Sequence, residues 1–349
     1  MKKLISMLLI LAMTLSITAC SNQTSPGSGS GASSSSGQED VGDPVTLVFS
    51  SVAVPEDAHA QAQDIFKETL EEISGGNITV EVYNNSTLFD QDTEKTALLD
   101  GDVDIIYNAP SWVAEGSPWV SMFTAAYLFN DYDHMIEVMD GDIGQDVFQK
   151  LREEQGLVVL GNFYIGSRCM NTRMDLGEVT STADFNGLVL RVANSESWLM
   201  MGRALGASPT PLAYSELYMA LSTGTVDAQE NPIPSTYNTK FYEVAPYIYV
   251  TNHITNFTWP CMTAEKWDSL TETQQGWVIE AINVAKEYCD STNLQSEKDC
   301  LEAMEAEGVK VYYPDIDTLA SEVLDYYLAD KEFAASWDMD LFDQIRAMA

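Results

Sequence analysis

Arginines carry most of the chemistry this sequence offers. Arg191 stands in GLVLRVANSES (187–197), inside an apolar run whose leucine and β-branched residues read as a strand buried on at least one face. A guanidinium keeps its proton, so a desolvated one needs an anion or a dense set of hydrogen-bond acceptors. That anion comes either from the protein, with Glu230 and Glu216 as internal candidates, or from a bound solute. Arg168, in VVLGNFYIGSRCMNTR (158–173), poses the same question and is open to a structural or rim role. Arg173 and Arg203 read as surface charges. Asn194 and Ser195 fall where the Arg191 strand gives way to a helix, and a helix N-terminus is a ready site for a carboxylate.

Nucleophilic and metal chemistry find little support. The histidines, His59, His134 and His253, belong to no HExxH, and the sequence has no GxSxG and no GxxxxGK. Asp100, Asp102 and Asp104 begin like a calcium loop but lack its glycine and distal glutamate, so they read as an acidic turn. GSGSGA near the N-terminus mimics part of a dinucleotide fingerprint without a strand before it. No cofactor and no metal is therefore expected, and no enzyme. Cys169, Cys261, Cys289 and Cys300 show no metal-ligand spacing. Cys289 and Cys300 fall on one long helix, roughly 16 Å apart and too far to bridge. A Cys169–Cys261 bridge stays open.

These residues need a frame, and the chain alternates strand and helix to supply one. TLVFSSVAV (46–54) reads as a strand, 57–74 as an amphipathic helix closed by Gly75 and Gly76, and NITVEVYNN (77–85) as a second strand. A helix from about 90 to 99 and the strand VDIIYNA (103–109) follow. A second block repeats the order: the Arg191 strand, a helix from Ser195, a short proline-edged strand in GASPTPL (206–212), a helix capped by Ser215, and the strand-like TVDAQENP. The expected fold class is α/β, an open sheet wrapped by helices. Ligands in such sheets sit beyond the carboxyl ends of strands, which draws attention to Ser50, Ser51, Asn108 and Ala109.

The ends of the argument are compartment and charge. Residues 1–19 have lysines, an apolar stretch from Leu4 to Ile17 and small residues before Cys20, the pattern of an export signal and not of a membrane span. Ile17-Thr18-Ala19-Cys20 resembles a bacterial lipobox, which would leave Cys20 lipidated. Residues 20–44 are Ser, Gly and acid with almost nothing to bury, and read as a flexible linker. The formal charge of −36 excludes nucleic acid as a partner and offers no long-range attraction to an anion. About 300 residues remain for folding, more than one core usually supports, so two lobes are expected.

Longer stretches carry a resemblance. RVANS with Arg191, LGASPTPLAYSELYMALSTGTVDAQENP (205–232), KFYEVAPYIYVTNH (240–253), ISGGNITVEVYNNSTL (73–88) and LLDGDVDI (98–105) resemble the solute-binding subunits of tripartite ATP-independent periplasmic (TRAP) transporters, the C4-dicarboxylate-binding type, in lipoprotein form. The resemblance implies a two-lobed periplasmic-binding-protein-like fold with a ligand cleft between lobes, hinge strands and a long bridging helix. Lobe I would be 45–165 with 257–296, and lobe II 166–256 with 297–349. It implies a carboxylate clamp at Arg191, a second arginine at Arg168, and Asn231, Asn194 and Tyr214 beside them. Gln91, Asn108 and Trp259 would be further ligand contacts, and the tryptophans Trp112, Trp119, Trp198 and Trp259 suggest a ring-bearing ligand. Two positions depart from the family pattern, Ala193 for a proline and Ala228 for a glycine. The implied partners are a carboxylate-bearing small molecule, a small four-span and a large multi-span membrane subunit, and the membrane through the lipid. The implied location is outside the cytoplasm, lipid-anchored to the outer face of the cell membrane or periplasmic. A sensor of the same fold is the alternative role.

Overall fold

A parallel strand–helix–strand unit opens the described chain because both periodicities are present in turn. In the computed structural model, which describes residues 41–348, strand β1 (Val45–Ser50) buries alternate residues and helix α1 (Ala58–Ile73) buries Ala58, Ala62, Phe66 and Leu70, spaced four apart. Strand β2 (Ile78–Tyr83) returns parallel to β1, with Val45 opposite Ile78. Helix α2 (Glu94–Asp100) ends on Gly101 in the left-handed conformation, and strand β3 (Ile105–Asn108) then joins the other edge of β1. The signal segment, Cys20 and most of the linker lie outside the described residues. The linker's last residues are held: the amides of Asn77 and Gln274 donate to the Gly42 and Asp43 carbonyls at 3.2 and 2.9 Å, so packing starts before the expected residue 45.

Helices α3 (Pro110–Val113), α4 (Tyr132–Met139) and α5 (Asp142–Gln155) lead to strand β4 (Leu157–Val159) and the long strand β5 (Phe163–Thr172). Strand β6 (Val189–Val192), helix α6 (Glu196–Ala204), strand β7 (Ser208–Pro211), helix α7 (Leu217–Thr223) and strand β8 (Ala228–Pro232) form the second block. Ser195 caps α6 as the pattern predicts, accepting from the Trp198 amide. Ser215 does not cap: it lies inside a 3₁₀ turn, Tyr214–Glu216, that runs straight into α7. Helices α8 (Ile233–Asn238) and α9 (Phe241–Val244) precede β9 (Tyr247–Thr263), α10 (Ala264–Ser269) and the 35-residue α11 (Glu272–Ala306), which starts on a Thr271–Gln274 capping box. Strand β10 (Lys310–Tyr312) and helices α12 (Ile316–Ala329), α13 (Lys331–Ala334) and α14 (Met339–Ala347) close the chain.

The strands order as β2-β1-β3-β9-β5-β8-β6-β7, with β4 and β10 also on β9. β9 joins two sheet halves: residues 259–263 pair with β3 and β4, and residues 247–258 pair with β5. One apolar cluster, around Phe49, Phe66 and Val278, packs on the β1 half, and a larger one that holds Ile106, Trp259, Val192 and Tyr249 runs across both halves. Cys169 and Cys261 are free thiols lying in different sheet halves, Cys169 beside Arg168 on β5 and Cys261 opposite Ile106 of β3, so the bridge left open by the sequence does not form.

Candidate functional site

The cleft lies where the strand ends converge. A cavity of about 770 Å³, mouth included, is lined by Val52 and Ala53 after β1, Ala109 after β3, Ala193 after β6 and Pro232 at the end of β8. Into it β6 and β5 bring Arg191 and Arg168.

The two arginines are held differently. Arg168 is bound by Glu230: its Nε and Nη2 reach the carboxylate, Nη2 at 2.8 Å, and Nη2 also donates to Asn231 Oδ1 at 2.9 Å. Its guanidinium stacks over Trp198, 4.6 Å from the ring centroid. His253 lies on the far side of Glu230 at 3.2 Å, with Thr251 Oγ1 at its other nitrogen. Burial raises the Glu230 carboxyl, but Arg168 and His253 together outweigh it and hold it below the ordinary range. The same burial lowers His253 and keeps it neutral, so the cluster is one cation and one anion.

Arg191 has no such partner. Its Nε donates to the Leu212 carbonyl at 2.9 Å and Nη2 to Gln91 Oε1 at 3.2 Å, while Nη1 makes no hydrogen bond among the described residues. It is 2% exposed, and no carboxylate comes within ion-pair distance of it among the described residues. Neither Glu230 nor Glu216 forms an ion pair with it among the described residues, although the nearby Glu230 charge offsets part of its desolvation. Desolvation pushes its pKa down to about 10, which leaves it charged at neutral pH. Tyr214 packs against the guanidinium, 5.7 Å from it, and its backbone N–H shares Gln91 Oε1.

Of the residues singled out by sequence, Arg191, Arg168, Tyr214, Gln91 and Asn231 line this cavity, as do Trp112 and Trp198. Asn231 spends its amide inside the protein, accepting from Arg168 and donating to Gln229. Asn194 is exposed and lies off the cavity, because the alternation that brings Arg191 and Ala193 inward turns the next residue away. Asn108 is buried between the cavity-lining Tyr107 and Ala109 and turned from the cavity by the same period, both amide atoms lacking a partner. Trp259 is core: fully buried, it donates to Asn162 Oδ1 at 3.1 Å and packs on Phe123, Phe148 and Phe257. Trp119 also lies outside the cavity. Sequence reasoning missed Asp57, His59, Ser235 and Asn256, which line it. Asp57 read as a helix start; it occupies that position, but its side chain makes no cap bond and turns to Asn238 Nδ2 at 2.9 Å.

A strand-end cleft between two sheet halves, with an unanswered buried cation inside, defines a solute-binding protein of the two-lobed kind. The chain belongs to the bacterial extracellular solute-binding protein family 7, whose profile matches residues 49–330. It is 30% identical over 281 residues to the sialic acid-binding periplasmic protein SiaP of Vibrio cholerae, covering 80% of this chain and 86% of that one. It is also 30% identical over 274 residues to the C4-dicarboxylate-binding periplasmic protein DctP of Rhodobacter capsulatus, covering 78% and 80%. A TRAP periplasmic solute-binding protein from Roseobacter denitrificans, solved with bound 3-deoxy-D-manno-oct-2-ulosonic acid, superposes with TM-score 0.83 at 30% identity, covering 88% of this chain and all of the other. Membership of this family makes the chain a binding protein rather than an enzyme and places its class outside the cytoplasm.

Proposed function

We propose that this protein captures a small organic acid through the carboxylate, with Arg191 as the clamp, and delivers it to the membrane subunits of a TRAP transporter. The carrying observation is Arg191 itself, a buried cation lining a cavity with no anion to meet it among the described residues. A planar guanidinium at low dielectric binds a carboxylate strongly and directionally. Arg168, already neutralised by Glu230, offers Nη1 as a second donor without adding net charge. Tyr214 and Gln91 orient Arg191, and Asn231 fixes Arg168.

The relatives support the ligand class: proteins named for sialic acid and for C4-dicarboxylates both bind carboxylates. In this reading lobe I is 45–165 with 257–296, lobe II is 166–256 with 297–349, and closure of the two over the ligand is a hinge motion. Export by residues 1–19 and lipidation at Cys20 would tether the protein outside the membrane that holds its partners. The test is Arg191→Ala in a thermal-shift and calorimetric screen of organic acids. The variant keeps its melting temperature without ligand and loses about 3–5 kcal/mol of binding, more than about a hundredfold in affinity. Affinity within about threefold of the parent would remove the clamp.

A further inference from the structure

We infer that Glu297 is a positioning residue for Arg168: from helix α11, outside the cavity, it holds the stretch of β5 that delivers this arginine to the ligand. This rests on the reading of Arg191 as the clamp and Arg168 as the second donor, and goes beyond it to what keeps that donor in place.

The edge of β5 away from β9 is only partly covered by a strand. Among the described residues, β8 pairs with it from Arg168 onward, starting opposite Pro232, and no strand pairs with that edge before Arg168. The backbone donors and acceptors left there still need partners. Helix α11 supplies them from one face, through Asp290, Asn293 and Glu297, spaced three and four residues apart. Asp290 Oδ1 accepts from the Tyr164 amide at 2.8 Å, Asn293 Nδ2 donates to the Tyr164 carbonyl at 2.9 Å, and Glu297 Oε1 accepts from the Ser167 amide. Three side chains stand where a neighbouring strand would.

Glu297 is the member of this set that bears on the site. Ser167 directly precedes Arg168 and directly follows the register shift between Tyr164 and Gly166, where the ladder to β9 is interrupted. Ile165, inside that shift, and Arg168 both line the cavity, whereas Glu297 is not part of its lining. The same Glu297 oxygen accepts from Tyr164 Oη at 2.8 Å, so it ties the residues on both sides of the shift. Gly166 leaves room for it: a Cβ there would lie 3.4 Å from this oxygen. Burial raises the Glu297 carboxyl, but a carboxyl oxygen accepts from Ser167 whether or not the other oxygen carries a proton. After Arg168 the strand is held by β8, with Cys169 opposite Asn231. Glu297 therefore supports the arginine from the side that β8 does not reach. Binding constellations work within about 0.5 Å of their proper geometry, so a bulge released from Glu297 carries the Arg168 fork off the carboxylate while Arg191, on β6, stays where it is.

Titration calorimetry of the purified protein tests this with succinate, pyruvate, D-glucuronate and benzoate as probes, the tightest binder being carried through the variants. Glu297→Ala weakens it about tenfold, and Glu297→Gln, whose amide oxygen still accepts from Ser167, stays within about threefold of the parent. The loss is coupled to Arg168. In an Arg168→Lys background, which keeps a cation beside Glu230, Glu297→Ala costs less than about twofold more, whereas in an Arg191→Lys background it costs the full tenfold or so. A general loosening of the fold would lower affinity equally in both backgrounds. Full additivity with Arg168→Lys, or an affinity within about twofold of the parent in a folded Glu297→Ala, would overturn this inference and leave the clamp standing. If Glu297→Ala does not fold, Glu297→Asp, whose carboxylate is one methylene short of Ser167, takes its place under the same outcomes. Binding of none of the probes, or binding indifferent to Arg191→Ala, would overturn the clamp and this inference with it.

Discussion

At the scale of single residues, the protein holds several buried charges, each with a different answer. Glu94, outside the cavity lining, has the most measurable one. It opens α2 and accepts from Ser50 Oγ at 2.7 Å, yet burial outweighs that bond and pushes its pKa up to about 7. A carboxyl whose folded pKa lies above its unfolded value binds more protons when folded, so its contribution favours the native state at low pH. That contribution is lost as pH rises from about 4.5 through about 7, a swing of about 3 kcal/mol. Glu94→Gln stays neutral and flattens this part of the stability curve; at pH about 8 it should exceed the parent by about 2–3 kcal/mol in urea unfolding, and by almost nothing near pH 4.5. A difference independent of pH would show that Glu94 does not titrate in this window. What the sequence disclosed at this scale follows residue type. Arg191 in an apolar run announces an unmet charge; Asp57, read only as the start of the helix over 57–74, carries no local sign that it lines a cavity.

At the scale of elements, strand ends position the cleft and bulges aim its side chains. Register shifts in β5 against β9 fall between Tyr164 and Gly166 and again between Arg168 and Met170, so Arg168 sits on the straight segment between two irregularities. Gly166 makes the first possible: its φ of +112° suits glycine, and a Cβ there would lie 2.8 Å from Pro232 Cβ, beside Asn231 on β8. Gly166→Ala should lower stability by about 2–3 kcal/mol in chemical denaturation and weaken ligand binding as well, because relief of the clash displaces β8 under Arg168. An unchanged affinity in the destabilised variant would separate the bulge from the site. The βα alternation was legible from Val45 to Asn108 because α1 buries every fourth residue on one face and the strands are short apolar, β-branched runs set off by turns. β9 was not legible by pattern. Its buried positions include Thr251, His253, Thr255, Asn256 and Thr258, and Pro260 breaks the donor ladder, so only resemblance implied a hinge strand there.

At the scale of the whole molecule, the protein binds an anion against its own field. The formal charge is −36, and Arg191, the cation in the cleft without an ion pair among the described residues, is buried, so capture depends on contact and not on steering. Clefts that attract ligand electrostatically bind more slowly as salt rises; here the sign should reverse. Between about 0.01 M and about 0.15 M salt the screening length falls from about 30 Å to about 8 Å, shortening the repulsive approach without reaching the desolvated pair at Arg191. The association rate of an organic acid, followed in stopped flow by the fluorescence of Trp112 and Trp198 in the cleft wall, should therefore rise about two- to fivefold over that range. The dissociation rate, set by contacts inside the closed cleft, should change far less, so that affinity improves with salt. An association rate that falls would mean that the cleft mouth carries a local positive field strong enough to overcome the surface, and the carboxylate would then be selected before contact rather than by the clamp.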